Sequence, residues 1–127
     1  MAFNTVKSLL SLLVLVCFIH QGVEAATCEL SSIVVTQERT GASVEGQAEY
    51  EVTVSNTCSC PQSNVVVRCL GLSSIEPVDP SAITPIGNGD NCSVAGGQQL
   101  VQGTPVKFKY AWKTPQDFPL VSSQEHC

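Results

Sequence analysis

Basic residues are scarce. Six Lys and Arg stand against eleven Asp and Glu, for a formal net charge of −5. That balance excludes nucleic acid and anionic membranes as partners. Histidine is scarcer: the chain has two, and only His126 lies beyond the N-terminal apolar segment. Nucleophilic catalysis needs a base beside the nucleophile, usually histidine, and His126 sits next to the last residue, where chains fray. There is no G-x-S-x-G, no H-E-x-x-H and no phosphate-cradling glycine loop. Glu49 and Glu51 have the spacing to share a face as a glycosidase pair, but nothing in their polar row buries or tunes them. The chain has no room for the nucleotide-binding domain of a sugar transferase. It therefore reads as a non-enzyme without a cofactor. A metal site fails on ligand supply, because C-x-C is not knuckle spacing and one histidine cannot complete it. No segment holds a helical period. Beyond residue 25 no run is apolar and long enough to insert in a membrane, and no lipid-anchor signal follows.

What is present begins with Lys7, the apolar run SLLSLLVLVCFI (8–19), and Val23 and Ala25 at the −3 and −1 positions of a cleavage site. Residues 1–25 read as a secretory signal peptide, leaving 26–127 as one small secreted domain. That domain carries six cysteines: Cys28, Cys58, Cys60, Cys69, Cys92 and Cys127. An even number in a short secreted chain reads as a disulfide framework, and six cysteines allow 15 connectivities. Asn91-Cys92-Ser93 fits the N-glycosylation sequon, with a cysteine in its middle.

Strand signals fill the rest. QAEYEVTVSN (47–56) alternates strictly, with Ala48, Tyr50, Val52 and Val54 on one face. CELSSIVVTQ (28–37) is rich in β-branched residues, and ERTGASVEG links the two as a hairpin. A hairpin centred near residues 42–43 sets Cys28 across from Cys58 and Cys60, either of which can be its partner. NVVVRCLGL (64–72) reads as a central strand, QQLVQG (98–103) as a short one, VKFKYAWK (106–113) as the clearest, and FPLVSS (118–123) as an edge. About six short strands separated by Gly and Pro turns predict an all-β fold, a small disulfide-stapled antiparallel β-sandwich. Such a domain needs its large side chains inside, so Phe108, Tyr110 and Trp112 read as core wall rather than a sugar-stacking platform. The opposite row pairs Glu49 and Glu51 with Lys107 and Lys109.

The cysteine order, GQAEYEVTVSNTC (46–58), VVVRCLGLSS (65–74), VDP (78–80), NCSV (91–94) and the Val-x-Phe-x-Tyr-Ala-Trp strand (106–112) resemble the plant tapetum determinant family of small secreted proteins. The resemblance spans essentially all of residues 26–127. It implies an extracellular (apoplastic) ligand of a leucine-rich-repeat receptor kinase ectodomain, acting on cell fate in anther and ovule development. The domain follows the signal without a long intervening segment, and no adjacent basic pair marks a processing site, so no proligand is expected. Oligomeric state is open, and the alternatives are a cell-wall carbohydrate-binding module and a defence-type inhibitor. The expected contact surface is SSIEPVDPSAITPIGNGDN (73–91), which three prolines stiffen and bar from forming a regular helix or central strand. Ile75, Val78 and Ile83 are its candidate receptor contacts.

Overall fold

The computed structural model describes residues 27–127, so the signal peptide expected at 1–25 lies outside the described residues. Seven strands, against about six expected, form the two antiparallel sheets that the alternation and turn spacing predict. Sheet A has the order β1-β2-β6, with β1 Ile33–Val44, β2 Gln47–Asn56 and β6 Val106–Ala111. Sheet B has the order β4-β5-β3-β7, with β3 Gln62–Arg68, β4 Ile83–Ile86, β5 Asn91–Val94 and β7 Leu120–Glu125.

The first hairpin is longer than its apolar pattern. β1 continues to Val44 because its polar half pairs with β2 through a two-residue turn. Glu45 and Gly46 both have positive φ there, 48° and 81°, the backbone of a tight hairpin turn that glycine makes possible. A bulge between Arg39 and Ser43 resets the register, and Gly41 sits in it. β3 is central, as its apolar run predicts. β7 is an edge strand preceded by Pro119, whose carbonyl accepts from Arg68 N–H at 2.8 Å.

Two expectations change. QQLVQG forms no strand: only Leu100 pairs, with Gln62, where the chain crosses from sheet B to sheet A. The 73–91 stretch is not uniformly irregular, since it contains β4 and the start of β5. Pro85 fits there because β4 is an edge strand.

The core lies between the sheets. Val52, Val54, Val65, Val67, Ile83, Val94, Leu100, Phe108, Tyr110 and Phe118 are all buried in it, each contributing about 1.5–3 kcal/mol for the larger side chains. Tyr50 stacks on Tyr110 at 5.2 Å between ring centroids, and Phe118 meets Phe108 and Tyr110 edge-on at 5.4 and 5.7 Å. The aromatic row is therefore core wall over Phe108 and Tyr110. It stops there: Trp112 is only half-buried, and Lys113 Nζ lies 5.8 Å from its ring centroid.

Three disulfides close the domain: Cys28–Cys58, Cys60–Cys127 and Cys69–Cys92. Around the first two, Asn56 and Gln62 are buried yet bonded. Asn56 Nδ2 donates to the Cys60 and Leu100 carbonyls, both at 2.9 Å, and its Oδ1 accepts from Cys58 N–H at 3.0 Å. Gln62 Nε2 donates to the Glu29 carbonyl at 3.1 Å, and its Oε1 accepts from Ser123 Oγ at 2.7 Å. Buried amides satisfied in this way fix one arrangement of the 56–62 segment.

Candidate functional site

The β3–β4 connection, residues 69–82, holds most of the expected contact surface, and it is pinned down along its length. Its first turn lies against the β4–β5 turn. Cys69 and Leu70 N–H both donate to the Asp90 carbonyl, and Gly71 N–H donates to the Gly89 carbonyl, at 2.9, 3.0 and 2.8 Å. The Cys69–Cys92 disulfide joins the same two regions. Leu70, Gly71 and Leu72 all take positive φ, at 45°, 84° and 50°. For leucine that costs about 1 kcal/mol or more, a strain that concentrates at functional segments.

The next stretch lies along the outer edge of sheet A. Ile75 N–H donates to the Ala111 carbonyl at 2.9 Å, and Ala111 N–H donates back to Ser74 Oγ at 3.1 Å. Gln116 grips Ser73 on both sides: its Oε1 accepts from Ser73 N–H at 3.3 Å, and its Nε2 donates to the Ser73 carbonyl at 2.6 Å. Tyr110 holds Gln116 in turn. The phenol oxygen accepts from Gln116 N–H at 2.8 Å and donates to Gln37 Oε1 at 2.6 Å, and Gln37 Nε2 donates to the Gln116 carbonyl at 2.7 Å. Burial pushes the Tyr110 phenol pKa up, so it stays a donor through the physiological range. Further on, Asp79 Oδ1 accepts from Ser81 N–H at 2.9 Å and Ser81 Oγ at 2.7 Å, which lowers its pKa and sets the turn into β4.

This arrangement sorts the three contact candidates. Ile75 is exposed, at 36%. Val78 is half-buried against the core. Ile83 is corrected outright: at 2% exposure it pairs with Val94 inside sheet B and belongs to the core. In the sequence its apolar side chain resembles a loop anchor, because three prolines conceal a four-residue edge strand. Sequence reasoning passed over Leu70, the most exposed large apolar side chain among the described residues, at 64%. The signal for it was present in the C-L-G-L step, where a glycine marks the turn.

Beside Ile75 the outer face of sheet A carries mixed charge. Lys109 lies opposite Glu51 and Lys107 opposite Thr53, while Glu49 faces Ala111. The expected double Glu–Lys row is thus a single cross-strand pair. Glu51, Glu76, Pro77, Asp79, Lys107 and Lys109 line an open groove of about 350 Å³. The Glu49 carboxyl is held below its usual pKa by the Thr40 hydroxyl, 2.7 Å away, and by Glu76. Glu76 is pushed up, first by burial and then by Glu49, and its Oε1 is buried without a partner. The two carboxyls thus influence each other's titration near the edge of sheet A. Lys113 lies away from this groove, beside the first hairpin.

Three other features bear on chemistry. His126 does not fray, since its N–H donates to the Pro61 carbonyl at 2.9 Å, its ring meets Ser63 Oγ, and Cys127 is bonded to Cys60. Ser63 is buried, and among the described residues no carboxylate orients the other ring nitrogen, so the pair lacks the geometry of a nucleophile–base–acid set. The sulfurs of Cys28, Cys60 and Cys127 lie within 4.8 Å of one another, but each is spent in a disulfide and offers no thiolate. Asn91 is half-buried in β5, opposite Ile86 and Arg68.

Comparison with known proteins gives a consistent answer. The family model described as tapetum determinant 1, C-terminal, matches residues 29–127. TPD1 protein homolog 1A of Oryza sativa subsp. japonica is 31% identical over 91 residues, covering 65% of this chain and 40% of that protein. TPD1 protein homolog 1 of Arabidopsis thaliana is 31% identical over 102 residues, covering 79% of this chain and 55% of that protein. The chain thus spans about half the length of these curated relatives, or less. No solved structure matches it. A family match that covers nearly all described residues, on a sandwich stapled by the same six cysteines that carried the resemblance, makes this chain a member of the tapetum determinant family.

Proposed function

We propose that this protein is a secreted signalling ligand, without enzymatic activity, that binds a leucine-rich-repeat receptor kinase ectodomain and influences cell fate in plant reproductive tissue. Three disulfides support the extracellular setting, and no helix among the described residues is long and apolar enough to cross a membrane. The family resemblance is what supports the receptor class and the tissue in this reading. The observation that carries the contact surface is the pinned β3–β4 connection. It presents Leu70 and Ile75 at 64% and 36% exposure on backbone that is already hydrogen-bonded to the β4–β5 turn and to the edge of sheet A. Ordered apolar side chains make efficient interface anchors, because little conformational freedom is lost on binding. The adjoining groove adds charges of both signs, which set orientation and partner choice more than affinity.

A carbohydrate-binding alternative has only Trp112 of that row to draw on, since Phe108 and Tyr110 are buried and Trp112 is half-buried. A panel of leucine-rich-repeat ectodomains, immobilised and titrated with the secreted protein, tests the reading. One or more should bind. The Leu70→Ser/Ile75→Ser variant should bind at least about tenfold more weakly while melting like the parent protein. Binding to none of the panel would reject the receptor class. Undiminished binding by the double variant would move the contact surface elsewhere, with Lys107 and Lys109 next.

A further inference from the structure

The Asn91-Cys92-Ser93 sequon borders the Leu70 end of the proposed contact surface, through the Asp90 carbonyl and the Cys69–Cys92 disulfide, and the fold constrains it tightly. Asn91 opens β5, an interior strand of sheet B, paired with Ile86 of β4 on one side and Arg68 of β3 on the other. The preceding carbonyl, that of Asp90, accepts from both Cys69 and Leu70 N–H. The middle residue, Cys92, is fully buried and bonded to Cys69. Backbone held on both sides and cross-linked at its centre cannot be lifted into an enzyme's acceptor site without breaking the sheet.

The finished fold nevertheless has room for a sugar. Side chains alternate along β5, so Asn91 and Ser93 point away from the core while Cys92 and Val94 point into it. The Asn91 amide has no hydrogen-bond partner among the described residues, where the buried amides of Asn56 and Gln62 are fully engaged. Its cross-strand neighbours are Ile86, 40% exposed, and the exposed Arg68. Arg68 is the one charge in that row, and the next outward row of sheet B, through Ser93, is uncharged, with Thr84, Ser93, Val66 and Ser122 in register. A glycan on Asn91 would stand over this face and shade Ile86, leaving the charged face of sheet A open.

We propose that Asn91 carries an N-linked glycan, and that it is attached to the unfolded chain before the Cys69–Cys92 disulfide closes. The donor is a lipid-pyrophosphate-linked oligosaccharide. Asn91 Nδ2 loses a proton and forms a bond to the sugar C1, the bond from C1 to phosphate oxygen breaks, and the lipid pyrophosphate leaves. Two covalent fates therefore compete for one tripeptide, and only one order permits both. The proposal rests on the secretory reading, which is scored separately by whether the chain reaches the medium.

The test uses the full chain expressed in plant cells and treated with an N-glycosidase that leaves aspartate at the attachment site. The secreted protein should lose mass, with Asp at position 91, and Ser93→Ala should abolish the shift. The Cys69→Ser/Cys92→Ser variant keeps the sequon and loses the competing bond, so its occupied fraction should equal or exceed that of the parent. That fraction is read on intracellular chains, so failure to fold does not obscure it. In microsomes, the reduced, unfolded polypeptide should accept the oligosaccharide and the oxidised, folded protein should not. Secretion of a wholly unglycosylated parent protein would overturn the proposal, and so would transfer onto the folded form.

Discussion

Tyr110→Phe separates the two roles of one buried side chain. The ring is fully buried between Tyr50 and Phe118 and stays in place in the variant. Only the hydroxyl goes, and with it the bonds to Gln37 Oε1 and Gln116 N–H at 2.6 and 2.8 Å. Each such bond is worth about 1 kcal/mol net, and the stranded Gln116 amide adds a desolvation cost of similar size. The expected loss is about 2–3 kcal/mol, or roughly 8–20 °C in melting temperature for a domain of this size. The damage should also be local. Gln116 is the clamp on Ser73, and Ser73 leads into the Ile75–Ala111 hydrogen bond. Hydrogen exchange should therefore speed up at the Ile75 amide more than at core amides such as Val52. There is a pH signature as well. The folded phenol pKa is raised by burial. Its contribution is complete below the unfolded value, about 10, and is lost as pH rises through the folded value. The parent should lose stability at alkaline pH by one titration that Tyr110→Phe lacks. If the variant melts within about 0.5 kcal/mol of the parent and the Ile75 amide exchanges unchanged, the network does not hold the connection and the reasoning fails.

Ile83→Ser should destabilise by about 3–4 kcal/mol, because it opens a core cavity and buries a hydroxyl, whereas Ile75→Ser should melt like the parent; equal effects would put both on the same side of the surface. Asn56→Ala should cost about 2–4 kcal/mol in a denaturant titration, since three bonded groups in the 56–62 segment lose their partner. Glu76→Gln should raise the melting temperature at neutral pH and leave it unchanged near pH 4, at about the ordinary carboxylate value. The sign follows from a folded pKa pushed up: the stabilisation is complete below the unfolded value and is lost as pH rises through the folded one. No gain at neutral pH would mean that neither burial nor Glu49 disfavours the Glu76 carboxylate. Cys60→Ser/Cys127→Ser removes a cross-link between residues 67 apart and should cost about 4 kcal/mol by chain entropy, read from unfolding midpoints.

Much of the fold was legible because period-two alternation is a direct image of a half-buried strand. Tyr50, Val52 and Val54 all face the core as the pattern says. The bridge from Cys28 to the 58–60 region was legible to within one cysteine, since hairpin geometry fixes which segments meet but not which of two neighbouring sulfurs bonds. Strand β4 was hidden: four residues with a central proline give no period, and only pairing with β5 makes them a strand. Leu100 misled in the other direction. Its β-prone neighbours read as a strand, yet a segment passing between sheets can pair at one point only. The candidate surface was legible as a region and not as residues, because exposure within 69–82 is set by hydrogen bonds from Tyr110, Gln116 and Ala111, more than 25 residues away in sequence.

Two of the cross-links also form a covalent chain of their own. From Cys28 a disulfide leads to Cys58, two peptide bonds lead through Ser59 to Cys60, and a second disulfide leads to Cys127. This path joins the two ends of the domain without passing through a single strand of either sheet. Tension applied between those ends is carried by sulfur and three residues of backbone, while the ladders of both sheets stay unloaded. In the oxidised state the domain is mechanically a short inextensible link, and stretching begins only after one of those two bonds is reduced.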